Sequence, residues 1–297
     1  MNQQLAMEIE NEIEESKALA TGLFQGAQVV FNHMKDKYPL IAEAEIKPEI
    51  GHKGASMKGL WLRAYVWMQT INKLNDPLDI QAISVGNRAL LEITVDLILL
   101  HHDKTNKSGW KMIWWGESEK LKAAEQVVKF YSEQNLSVPD RYEAQEEFYR
   151  NRQSSIEDMR KNLWPNRKNP TSHPDRWSGK GSLFDDIVDA DKLYGSVVKD
   201  EIGFTLAEYY RTEYRKMNWR IHSGVASFLN QPPQAFNYSC GFALKACADF
   251  AMLCTKIVML DFGLNVAFKG LEDEWEEVKN KRNYYYAQEL YKFHSRE

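Results

Sequence analysis

FTLAEYYRTEYRKMNWRIHSGVASFL, residues Phe204–Leu229, carries a polar line down an otherwise aromatic and apolar body. Its apolar residues recur with helical spacing, and the pattern predicts one long helix. Arg211, Arg215, Asn218 and His222 are spaced i, i+4, i+7, i+11. At about 100° per residue, Arg215 and His222 lie within roughly 20° of one helix face. A guanidinium, an amide and an imidazole therefore share a line, flanked by Tyr210, Tyr214 and Trp219, with Lys216 and Arg220 adding positive charge. A cation beside a group that titrates near neutral pH is the minimum kit for phosphoryl chemistry without a metal. The same residues also suit a plainer role, paired with carboxylates on a neighbouring helix.

The carboxylates for such pairing lie upstream. ISVGNRALLEITVDLILLHH, within an expected helix of about Leu78 to His102, is apolar almost all round and reads as a central helix. Yet Arg88, Glu92 and Asp96 recur along it at i, i+4, i+8. Charges in so apolar a helix need partners. The expectation is that this helix packs against 204–229, with Arg211, Arg215 and Arg220 as donors. Glu92 or Asp96 then either orients the Arg and His or simply locks two helices in register.

The rest of the chain reads as helical too, giving an all-α bundle of about eight to nine helices. Residues from about Gln3 to Lys35 are periodic, and Pro39 is expected to end that helix. Residues 40–58, with Pro48, Gly51 and Gly54, read as an irregular connection, and Leu60–Leu74 as the second helix. Glu117–Asn135 and Pro139–Leu163 are charged and look peripheral. Ser182–Val198 is an acidic helix capped by Ser182. Ser239–Leu264 is apolar and carries Cys240, Cys247 and Cys254 at seven-residue spacing. Their Cα atoms stand about 10 Å apart along a helix, too far to pair, so they read as a buried seam. A last helix runs from about Gly270 to His294. This divides the chain into an N-terminal helix with its connection (1–59), a helical core (60–265) with a basic loop at 160–181, and a C-terminal helix (266–297).

That loop, WPNRKNPTSHPDRWSGKG over Trp164–Gly181, holds three prolines and two glycines and is structureless by turn chemistry. From Arg160 to Lys180 six Lys/Arg face one acid, Asp175, in a chain of net charge −4. Arg167, Lys168, Arg176 and Lys180 alternate with Trp164, His173 and Trp177, a composition that suits phosphates and bases of single-stranded nucleic acid. A surface loop docked by its tryptophans has the same composition.

Other chemistries find little support. There is no phosphate-binding glycine loop, no zinc-type Cys or His spacing and no calcium loop, so neither metal nor cofactor is expected. The acidic N-terminus, MNQQLAMEIENEIEES, lacks the basic-then-apolar order of an export signal, and no run is long enough to span a bilayer. Cytoplasmic residence is the expectation.

Arg215 and His222, with six residues between them near the end of a late helix, resemble the Arg–(four to six residues)–His signature of the HEPN superfamily. Arg88–Leu100, Trp177–Ser182 and Tyr209–Gly224 also look like a bacterial family of this fold, and the resemblance spans about residues 60–265. It implies a dimeric all-α protein of bacterial defence or toxin systems and metal-independent endoribonuclease activity. In that reading Arg215, His222 and Asn218 are catalytic. Arg211, Arg220, Tyr214 and the loop cations hold RNA, and Arg88, Glu92 and Asp96 support them. The competing reading is a non-catalytic module binding nucleotide, RNA or protein, in which Arg215, His222, Arg88 and Glu92 form a core network.

Overall fold

A computed structural model describes residues 3–48, 50–74, 76–222, 232–264 and 271–294. Among them there is no strand, and the chain is an all-α, multi-helix bundle. Helices α1 (Gln3–Glu43), α2 (Gly51–Ile71), α3 (Ile80–His102), α4 (Lys107–Glu133), α5 (Glu143–Leu163) and α6 (Leu183–Ile202) are followed by a composite rod. The rod consists of α7 (Leu206–Tyr209), a π-helical segment (Tyr210–Tyr214) and α8 (Arg215–His222). Helices α9 (Pro233–Asp261) and α10 (Leu271–His294) complete the chain. No helix among the described residues is long and apolar enough to cross a membrane.

The chain forms two compact units. One comprises Met1–Ile46, Met57–His102 and Ile187–Glu297, and the other Lys47–Ser56 and Asp103–Asp186. In the first, α3 and α9 supply the core. Leu90, Leu91, Val95, Leu97 and Ile98 are fully buried on α3, as are Phe250, Leu253, Cys254 and Ile257 on α9. Polar pins fix their register. Asn87 donates through Nδ2 to Ala243 O at 3.0 Å and accepts from Tyr209 Oη at 2.9 Å. Trp61 Nε1 donates to Thr255 Oγ1 at 3.0 Å. His101 Nδ1 lies 2.8 Å from Asp261 Oδ2, so this histidine joins α3 to α9. The cysteines are free thiols in the expected buried seam. Burial holds the Cys247 thiol well above its usual pKa and pushes Cys254 up to about 12.

Three helix boundaries that differ from the sequence pattern have a visible cause. Helix α1 continues through Pro39 to Glu43. Ile41 beyond the proline is fully buried, and Lys58 Nζ donates to Ala44 O at 3.2 Å, so packing and capping offset the missing N–H. Helix α2 begins at Gly51 rather than Leu60, because Lys47 O collects the Ile50 and Gly51 amides and buried Lys53, Ser56 and Met57 anchor the first turns. Helix α4 starts at Lys107, ahead of Glu117. The Asp103 carboxylate accepts the Thr105 hydroxyl and the Thr105 and Ser108 amides there, and these bonds outweigh burial in holding its pKa below the ordinary carboxylate value.

In the second unit α4 and α5 pair, and the chain after α5 folds back on them. Arg160 is 6 % exposed. Its Nε donates to Ser118 Oγ at 2.6 Å and its Nη1 to Thr171 O at 2.8 Å. Ser118 Oγ also meets His173 Nδ1 at 2.8 Å, and the other face of that ring meets Glu119.

Candidate functional site

The composite rod 206–222 sets the site. Thr205 accepts the Glu208 amide and caps the rod's start, and Asp191 receives the Leu206 and Ala207 amides at 3.0 and 2.8 Å. A π segment carries one extra residue in its turn and re-aims the side chains that follow it. Here it ends at Tyr214, which is 6 % exposed. Arg88 Nη2 donates to the Tyr214 hydroxyl at 3.0 Å, and that hydroxyl donates to Glu92 Oε1 at 3.0 Å. The Arg88 guanidinium also lies over the Tyr214 ring, 4.9 Å from its centroid.

The expected link between the charged line of α3 and the rod is therefore made, through the Tyr214 hydroxyl where the sequence pattern points to Arg211 and Arg215 as donors. Both arginines are exposed. The π segment accounts for the difference, since an α-helical projection from Arg211 across 210–214 misplaces every later side chain by part of a turn. Burial, helped by the Glu92 charge, raises the Tyr214 pKa, so the hydroxyl stays protonated near neutral pH.

Arg215 forms no hydrogen bond or ion pair among the described residues and stands in solvent directly after the clamped Tyr214. One turn beyond Tyr214, Asn218 Oδ1 is buried without a partner, and Arg88 Nε is likewise buried and unpartnered. Asp96 is 8 % exposed on α3. The side chains of Arg220 and His222 lie outside the described residues, although the α8 backbone runs to position 222.

The expected basic loop faces inward. Trp164 and Trp177 are 4 % and 3 % exposed, and Trp164 Nε1 donates to Trp177 O at 2.9 Å. Arg167 binds Ser172 O and His173 O, and Arg176 Nε donates to Asp186 Oδ2 at 2.8 Å. Lys168 and Lys180 are exposed. With its rings buried, the segment is a docked loop and not a stacking platform for bases. The tryptophans gain more from burial than a solvent position allows, while Arg167 donates to backbone carbonyls and Arg176 to the Asp186 carboxylate.

The other face of the rod, with α9, borders a cavity of about 460 Å³ lined by Phe204, Tyr209, Met217 and Phe242. Lys216 and Lys245 reach its wall, paired with Glu213 at 2.8 Å and Asp249 at 2.6 Å. The sequence pattern gave no sign of it, since its wall combines residues from two distant helices. No group of three or more His, Cys, Asp or Glu among the described residues is placed to hold a metal ion. Comparison with protein-family models, with curated proteins and with solved structures gives no match.

Proposed function

We propose that the protein is a metal-independent endoribonuclease of the HEPN kind, acting in a bacterial defence or toxin system, with Arg215, Asn218 and His222 as its working residues. The observation that supports this most is Arg215: exposed, unpaired among the described residues, and held beside a tyrosine fixed from two sides by Arg88 and Glu92. In this reaction the RNA 2′-hydroxyl attacks the adjacent phosphorus as the bond to the 5′-oxygen breaks, leaving a 2′,3′-cyclic phosphate and a 5′-hydroxyl. His222 moves the proton, Arg215 stabilises the charge that builds on the phosphate, and Asn218 orients it. One histidine per chain serves poorly as both base and acid, so a homodimer pools two sites.

The test is cleavage of total RNA with chelator present, alongside light scattering for oligomeric state. Arg215→Ala and His222→Ala are each expected to reduce cleavage by at least ~10²-fold, the lower end of what proton transfer by a positioned histidine contributes, while circular dichroism stays unchanged. Full activity in His222→Ala, or loss of wild-type activity with chelator, discards the mechanism.

A second reading has its own observation. The cavity beside the rod is of ligand size and carries the stacked Phe204 and Tyr209 rings, with centroids 4.9 Å apart. A folded dimer that cleaves no RNA but binds a nucleotide, with Phe242→Ala abolishing that binding, favours a non-catalytic nucleotide-binding module.

A further inference from the structure

The facing stripes of α1 and α10 run against the usual rule for packed helices. Gln25, Gln28, Asn32, His33 and Asp36 recur at helical spacing on α1, opposite Glu274, Glu277 and Lys281 on α10. Between them lies a cavity of about 470 Å³. Packed helices normally bury apolar stripes, and buried polar atoms normally find partners.

Here two do not. His33 lines the cavity and is 6 % exposed, with Nδ1 3.6 Å from Glu274 Oε1, and its Nε2 is buried without a partner. Gln25 Oε1, in the same wall, is also buried and unpartnered. With the ring proton on Nδ1 facing Glu274, Nε2 presents a lone pair. Burial lowers the His33 pKa, outweighing Glu274, so the neutral ring prevails near pH 7.

The charges add a preference. Asp36, Glu274 and Glu277 line the cavity against the single cation Lys281. Glu274 is held by Lys37 Nζ at 2.6 Å, whereas Asp36 and Glu277 make no ion pair among the described residues. The lining is thus net acidic among the described residues, with donors from the Gln28 and Asn32 amides, Lys281 and Tyr285 as well as acceptors. It extends over 25–36 on one helix and 274–285 on the other, roughly 16 Å at 1.5 Å per residue.

We propose that this cleft binds a linear aliphatic polyamine, with Asp36 and Glu277 receiving ammonium groups and Gln25 Oε1 and His33 Nε2 accepting N–H groups inside. An amine supplies positive charge for the two unpaired carboxylates and N–H donors for the two unpartnered acceptors, and a flexible chain matches the length of the cleft.

Titration calorimetry of the full chain with spermidine at pH 7.5 is expected to show saturable binding to one site. Asp36→Asn combined with Glu277→Gln, two exposed positions, is expected to weaken it at least tenfold. Tetramethylammonium, a cation without N–H donors, is expected not to compete. In ¹⁵N spectra of the wild type the His33 Nε2 resonance should move on spermidine addition, a readout that stands even if the variant fails to fold. No saturable binding at millimolar spermidine, unchanged affinity in the folded double variant, equal competition by tetramethylammonium, or an unmoved Nε2 signal each overturns the proposal.

Discussion

The Tyr214 hydroxyl is the smallest feature on which the site depends. It accepts from Arg88 and donates to Glu92, so one atom bridges two charged groups of α3. Tyr214→Phe keeps the ring under the guanidinium but leaves both charged groups without that partner. An unmade hydrogen bond at a buried group costs about 1–3 kcal/mol, and the urea midpoint is expected to fall accordingly. A double-mutant cycle with Glu92→Gln should show coupling, because the two side chains share one bond. A Tyr214→Phe midpoint equal to that of the wild type means that Arg88 and Glu92 are satisfied elsewhere.

At the scale of elements, helix contacts rest on where a Cβ fits. A Cβ on Gly109 of α4 meets Lys53 N at 2.3 Å, a clash with backbone that no rotamer relieves. Gly109→Ala is expected to destabilise the protein by about 1–3 kcal/mol, the range for overpacked sites. Gly59 is exposed within α2 and a Cβ there meets nothing within 4 Å. Gly59→Ala should raise stability by roughly 0.5–1 kcal/mol through helix propensity alone. Denaturation of the two variants, side by side, checks the opposite signs. The π segment is the other decisive element. Deleting Thr212, an exposed residue within it, is expected to remove the extra residue and restore α geometry with everything beyond facing as it does now, so that Tyr214 keeps Arg88 and Glu92. A urea midpoint that Tyr214→Phe still lowers is the expected result in the deletion variant, and loss of that effect shows that the segment does not hold one extra residue.

For the whole molecule, pH response is the property that gathers distant groups. His33 in one unit and His173 in the other both have lowered pKa values, chiefly through burial. A histidine whose folded pKa lies below 6.5 takes its proton first in the unfolded chain, so stability is full above pH 6.5 and declines as pH falls below it. Glu201 adds a second step. Burial alone would raise its pKa, but hydrogen bonds from Lys256 and Trp275 and the charges of Lys256 and Lys279 lower it overall. Its contribution is present above the unfolded carboxylate pKa of about 4.3 and is lost as pH falls through the lower folded value. Thermal melts from pH 7.5 to 3 are expected to decline in these two windows. His33→Gln and His173→Gln should each flatten the upper one, and Glu201→Gln the lower.

The sequence alone determined the helical architecture, the buried cysteine seam and the need for Arg88, Glu92 and Asp96 to find partners on another element. These follow from local periodicity and from the cost of placing charge in an apolar helix, both readable along the chain. Only the tertiary structure decided that Arg88 and Glu92 meet at Tyr214, since the extra residue of a π turn leaves no mark on a 3.6-residue pattern. It also decided that Trp164, Trp177, Arg167 and Arg176 turn inward, because a loop composition suited to nucleic acid is equally suited to carbonyls and a carboxylate brought near by folding. The extension of α1 past Pro39 has the same origin, resting on the burial of Ile41 and a lysine from the next helix. Such partners lie far along the chain or across a helix pair, and the energy that selects them exists only once those elements meet.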